Sequence, residues 1–211
     1  ELDPDLSNAY SSLSLIRFLI DKNWPEAERC LQRALELDPN NADAYNRYGY
    51  FLMRVGRFNE ALDKLSKARE MNPLAAIIES NIGLTYLCAK RYREAIEQLE
   101  KTAAENPEFS HGQWLLQTAY EGAGDNERAF DAGMKALEIE GGGEFAAKLR
   151  NVRQTEGLDA ANRLWLEESI KAKDTGPETP LVIAMRAATA KDRELTLHWL
   201  ERAVEEGDTT M

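Results

Sequence analysis

The sequence predicts an all-α chain assembled from paired helices, and three observations carry the prediction. A unit of 34 residues, 42–75, shares its pattern with the segments on either side of it. Within each unit the apolar residues fall at helical spacing, in two runs. Glycine and proline punctuate the runs: in 42–75, Gly56 separates them and Pro73 closes the second.

The unit 42–75 reads ADAYNRYGYFLMRVGRFNEALDKLSKAREMNPLA. Tyr45, Tyr48, Gly49 and Leu52 make the apolar stripe of a first helix. Phe58, Ala61, Leu65 and Ala68 do the same on a second. Gly49 and Ala61 are small where the two helices should cross closest. A large side chain at either place is expected to cost about 1–3 kcal/mol by overpacking.

Taken in order, the chain opens on ELDP, which recurs at 36–39 at the end of a second helix. Residues 1–6 therefore read as the tail of a preceding, truncated repeat. Repeat 1 covers 7–41, with Tyr10, Leu13, Ala27, Leu31, Ala34 and Pro39 in the key places. It carries one extra residue, expected in the turn around Asp21, Lys22 and Asn23, after which Trp24 takes the aromatic place and Pro25 suits the first turn of a helix. Repeat 2 is 42–75. Repeat 3, 76–109, keeps Ile82, Gly83, Tyr86, Tyr92, Ala95, Leu99 and Pro107, with Lys90 in place of the turn glycine and Thr102 in place of an alanine. Repeat 4, 110–141, keeps Leu116, Tyr120, Gly124, Ala129 and Ala136. Gly141, Gly142 and Gly143 then break the register; with no Lys-Ser or Lys-Thr behind them they read as a helix stop and joint, not a phosphate loop. Residues 144–211 read as two degenerate helical hairpins, at about 144–155, 159–173, 180–190 and 192–206, separated by the loop residues 174–177. Trp24, Trp165 and Trp199 are expected in the core and Trp114 at the surface.

Counted from residue 42, Tyr45 stands at place 4, Tyr48 at 7, Gly49 at 8, Gly56 at 15, Phe58 at 17, Ala61 at 20, Leu65 at 24, Ala68 at 27 and Pro73 at 32. This pattern closely resembles the tetratricopeptide repeat. The resemblance implies an all-α, right-handed α-solenoid superhelix of helix-turn-helix units, with the first helices lining a concave groove that binds protein or peptide. Each repeat has an apolar face that only its neighbours can bury. Repeat 1, at the edge of the stack, is expected to be the least protected in hydrogen exchange. Carried over by place, the resemblance assigns Asn46, Arg47, Tyr50, Arg54, Asn81, Leu84, Trp114 and Thr118 to the groove. Tyr50, Leu84 and Trp114 would hold apolar anchors, Asn46 and Asn81 would bond a peptide backbone, and Arg47 or Arg54 would meet a carboxylate. The basic clamp with which some members hold acidic chaperone tails is absent: its places carry Ser11 and Leu15, then Ile77 and Asn81, or His111 and Leu115.

Composition narrows the function classes. The chain has 211 residues, 43% hydrophobic and 30% charged, which is a globular balance. A net charge of −11 argues against a phosphate-backbone footprint, so no nucleic-acid partner is expected of these residues. No apolar run approaches the roughly 18 residues that span a bilayer, and no signal-peptide pattern is present. Cys30 and Cys88 occupy unrelated places and read as reduced residues of a cytoplasmic protein. His111 and His198 lie in distant repeats, and no metalloprotease, paired-cysteine or nucleophile-elbow pattern occurs, so neither catalysis nor a cofactor or metal is expected. The extra residue before Trp24, the glycine joint and the ending LHWLERAVEEGD together resemble the C-terminal repeat region of certain bacterial regulators, in which a winged-helix, cyclase or kinase domain precedes the repeats. That resemblance implies a sensory part of a transcription or signalling protein. A self-associating structural module is the further alternative.

Overall fold

The computed structural model describes residues 4–173 and 178–207. They form α1 (Pro4–Leu15), a π-helical turn (Ile16–Ile20), α2 (Trp24–Leu37), α3 (Ala42–Arg54), α4 (Phe58–Met71), α5 (Ala76–Cys88), α6 (Tyr92–Glu105), α7 (Ser110–Ala123), α8 (Asn126–Ile139), α9 (Gly143–Glu156), α10 (Leu158–Ala172), α11 (Pro180–Thr189) and α12 (Arg193–Glu205). No strand occurs among the described residues. Of the expected N-terminal tail, residues 1–3 lie outside the described residues, and Pro4 opens α1. The expected loop 174–177 and residues 208–211 also lie outside them. The chain divides into two compact units, Glu1–Gly133 and Met134–Met211.

In Glu1–Gly133 each first helix folds back on its second helix through a turn whose middle residue is left-handed. Lys22, Gly56, Lys90 and Gly124 have φ of +53°, +81°, +57° and +80°, and each follows the last by 34 residues. Glycine adopts this conformation freely; at Lys22 and Lys90 the side chain brings about 1–2 kcal/mol of steric strain. The constant spacing from Lys22 locates the extra residue of repeat 1. It does not sit in the turn, as the spacing of residues alone suggests. It is absorbed one turn earlier, where the Asp21 amide donates to the Ile16 carbonyl at 3.1 Å, five residues back. This inserts a residue into the helix while Ala27, Leu31 and Ala34 stay buried in α2.

The expectation for Trp24 is corrected as well. Its ring is half exposed, and Phe18 from the π-turn enters the core instead, edge-on to Phe51 with 5.5 Å between centroids. Phe18, Leu31, Tyr48, Phe51, Leu52 and Ala61 form one cluster; Leu65, Ala68, Ile78 and Ile82 form another. A third contains Leu99, Leu115, Leu116, Ala119 and Tyr120. The first and second helices touch closely because glycine stands at the crossing. A Cβ built on Gly49 would lie 2.5 Å from Leu65 Cγ, and one on Gly83 would lie 2.5 Å from Leu99 Cδ2.

In Met134–Met211, α9 pairs with α10 and α11 with α12. Gly157, with φ +93°, turns the chain between α9 and α10. Trp165 and Trp199 are buried, Trp199 among Leu166, Ile183, Ala184 and Ala187. The Arg186 guanidinium lies over the Trp165 ring at 4.1 Å. Thr179 and Asp192 cap α11 and α12, accepting from the Val182 and Leu195 amides. Leu197 and Leu200 keep an apolar spacing, yet both are exposed, because α12 buries the adjacent stripe through Trp199 and Ala203.

Candidate functional site

The first helices α1, α3, α5 and α7 of Glu1–Gly133 form a continuous row, each touching the next first helix. They pack on one another more closely than the second helices α2, α4 and α6 do, so the unit curves toward the first-helix side. The row holds every residue assigned to the groove from sequence, but those residues fall into two groups.

Asn46 and Asn81 belong to the packing between helices. Both are buried, and the Asn81 Nδ2 donates to Asn46 Oδ1 at 2.9 Å, tying α5 to α3. Each amide therefore commits hydrogen-bonding capacity to its neighbour in the row. A similar tie joins α1 to α3: Asn41 Nδ2 donates to Ser7 Oγ at 2.8 Å and to Asn8 Oδ1 at 2.9 Å, while Asn41 Oδ1 accepts from the Ala44 amide and caps α3.

The other six are partly open to solvent. Arg47 is one turn from Asp43, with Nε 2.6 Å from the carboxylate. Arg54 lies over the Tyr50 ring with its guanidinium carbon 6.0 Å from the centroid. Leu84 is half-buried and packs against two clusters, the one around Phe51 and the one around Leu115. Trp114 is half-buried on α7, and Thr118 Oγ1 donates back to the Trp114 carbonyl at 3.1 Å. Tyr50, Leu84 and Thr118 hold the same place in three successive repeats, so α3, α5 and α7 present them in register along the row. His111 is exposed and edge-on to Phe109. Among the described residues no group of three or more His, Cys, Asp and Glu could hold a metal, and no helix is long and apolar enough to cross a membrane.

Sequence reasoning missed a second set of polar contacts that fixes the row. Tyr48 on α3 donates its hydroxyl hydrogen to Glu28 Oε1 on α2 at 2.7 Å, and Arg57 reaches the same oxygen at 2.7 Å. Tyr120 on α7 donates to Glu100 on α6 at 2.5 Å, with the Arg128 guanidinium 4.6 Å from the ring centroid. Both tyrosines follow their glutamate by 20 residues, and that shared interval was the available signal. Burial, then the hydrogen bond to the carboxylate, pushes each phenol up to about 12. Also on α5, Glu79 is a buried carboxylate that accepts from Gln98 Nε2 at 2.6 Å and lines a recess with Arg69, Leu74 and Lys101.

Paired helices at a 34-residue period, a left-handed residue at each turn and a continuous row of first helices define an all-α solenoid of helix-turn-helix units. Family models of the tetratricopeptide repeat match residues 30–63 and 52–97, so this part of the chain carries tetratricopeptide repeats. No curated protein matches it in sequence. Among solved structures it is similar to pilF of Pseudomonas aeruginosa, at 20% identity and a TM-score of 0.66 over 98% of this chain and 94% of that one. TTC0263, described as a thermophilic TPR protein of Thermus thermophilus, is similar at 17% identity and a TM-score of 0.64, over 94% and 99% of the two chains. MamA from Desulfovibrio magneticus RS-1 gives 17% identity and a TM-score of 0.56 over all of both chains. At these identities the likeness is one of fold. Tetratricopeptide repeats make the chain a protein-interaction scaffold in general.

Proposed function

We propose that the first-helix row of Glu1–Gly133 binds an extended segment of a partner protein, and that the chain is non-catalytic on its own and acts in the cytoplasm. What supports this reading is the in-register presentation of partly exposed Tyr50, Leu84 and Thr118 by three adjacent helices, with Trp114 one turn before Thr118. Tyr50, Leu84 and Trp114 offer apolar anchors, and Arg47 and Arg54 offer cationic groups beside them. Asn46 and Asn81 enter the function as positioning residues: their mutual hydrogen bond sets the spacing of α3 and α5.

A photo-crosslinking amino acid placed at Tyr50 or Leu84, and as a control at exposed Arg33 on α2, tests this in cells. Crosslinked partner peptides are expected from positions 50 and 84, and they should diminish when Arg47→Ala is combined with the label at 84. Equal crosslinking from position 33, or capture unchanged by Arg47→Ala with Tyr50→Ala, overturns the groove as the binding face.

A further inference from the structure

The end of α4, the turn after it, the start of α5 and the end of α6 border a recess of about 490 Å³, lined by Arg69, Leu74, Glu79, Lys101, Glu105 and Asn106 among others. Its most buried member is Glu79, 5% exposed. The same place in repeats 1, 2 and 4 holds Tyr10, Tyr45 and Gln113, so of these four repeats only the third puts a charge there. Burying a carboxylate costs free energy that tyrosine or glutamine does not, and packing alone gives no reason for it.

The neighbouring repeat shows what the exchange removes. The Tyr45 ring lies beneath Lys64 and Lys67, whose Nζ atoms are 5.9 and 5.6 Å from its centroid. In repeat 3 the corresponding residues are Gln98 and Lys101, and no ring stands at Glu79 to meet them. Gln98 Nε2 donates to Glu79 Oε2 at 2.6 Å, and Arg69 approaches the same oxygen at 3.9 Å. Both contacts fall on Oε2, so Oε1 keeps its lone pairs for a donor in the recess.

We propose that this recess takes the side chain of a tyrosine presented by a partner protein, its hydroxyl donating to Glu79 and its ring lying beside Lys101. The chain makes this kind of contact twice with its own residues. Tyr48 donates to Glu28 with Lys64 5.0 Å from its ring centroid, and Tyr120 donates to Glu100 with Arg128 at 4.6 Å. Local charge selects a neutral donor. An incoming cation would meet Arg69 and Lys101, and an incoming anion would meet Glu79 and Glu105. Leu74, 90% exposed, and Pro73 offer apolar contact to the residues flanking the tyrosine. The recess uses none of the groove residues, so it stands or falls apart from the groove reading.

NMR titration of the amide signals with N-acetyltyrosine amide tests the assignment. Saturable shifts are expected in 69–79 and 98–106. N-acetylphenylalanine amide, which lacks the hydroxyl, should bind roughly tenfold more weakly. Glu79→Tyr, which supplies the ring from within as at Tyr45, should abolish the shifts. Lys101→Ala, at an exposed side chain, should weaken binding by about 2–5-fold and keeps the test available if Glu79→Tyr does not fold. Absence of shifts, or shifts confined to the first-helix row around Tyr50 and Leu84, overturns the proposal. So do equal binding of the two amides, tighter binding of N-acetylarginine amide, tighter binding of free tyrosine than of its blocked amide, binding unchanged by Lys101→Ala, and binding retained by a folded Glu79→Tyr variant.

Discussion

Replacing Gly49 by alanine adds one methyl group at the closest approach of α3 and α4, and the surroundings set its effect. The new Cβ would stand 2.5 Å from Leu65 Cγ, 2.8 Å from Leu65 Cδ2 and 3.1 Å from the Ala61 carbonyl oxygen. Carbon atoms pack best at about 3.5–4.0 Å, so either the leucine or the helix must yield by about 1 Å. Leu65 is fully buried and has little room to give. Overpacking of this kind costs about 1–3 kcal/mol, against which alanine regains about 0.8–1.0 kcal/mol of helix propensity over glycine. The expected net loss is about 1 kcal/mol. In a Leu65→Ala background, itself destabilised by about 2–5 kcal/mol, the obstructing atoms are gone and Gly49→Ala should stabilise by up to about 1 kcal/mol. The coupling between the two sites is then about 2 kcal/mol. Native-state hydrogen exchange on the amides of α3 and α4 is the suitable assay, since repeat arrays need not unfold in one step. If the two substitutions add within about 0.5 kcal/mol, the contact between Gly49 and Leu65 does not limit the approach of the helices.

Other expectations follow from named contacts. Lys90→Gly should raise stability by about 1–2 kcal/mol, because Lys90 holds a left-handed φ of +57°; an unchanged denaturation midpoint would contradict this. Asn46→Ala should cost about 1–3 kcal/mol by leaving the buried Asn81 amide short of its acceptor, and replacing both residues by alanine should cost less than the sum of the single changes. Tyr48 and Tyr120 are held protonated in the folded chain, with their phenols raised to about 12 from an ordinary value of 10. Their contribution to stability is therefore complete below about pH 10 and is lost as the pH rises through 12. A spectrophotometric titration of the native protein should show a late tyrosine step, and Tyr48→Phe with Tyr120→Phe should remove it.

The turns and the inter-helix cores were legible in the sequence because both repeat with a fixed period. Ala61, Leu65, Ala95 and Leu99 stand at places whose burial follows from helical spacing alone. The backbone route of the extra residue was not legible. The repeat spacing shows that a residue has been added before Trp24, but a looser turn and a π-helical turn consume the same number of residues. Only the left-handed φ at Lys22, 34 residues before Gly56, separates the two. For the candidate site, the sequence placed all eight residues on first helices but not which of them face solvent. Asn46 and Asn81 meet because α3 and α5 touch, a distance that no pattern within one repeat contains. The bonds from Tyr48 to Glu28 and from Tyr120 to Glu100 join neighbouring hairpins and are likewise invisible to a helix-by-helix reading.

The π-helical turn at Ile16–Ile20 also bears on how such a chain changes by insertion. A single added codon would ordinarily shift every downstream side chain by about 100° around a helix axis. Here the widened turn takes up the surplus before Lys22, and the hairpin partner α2 meets α1 and α3 with its alanines and leucines still inward. The one surplus codon of this repeat is therefore confined to a local wide turn at 16–20, and the frame of the following repeats is kept.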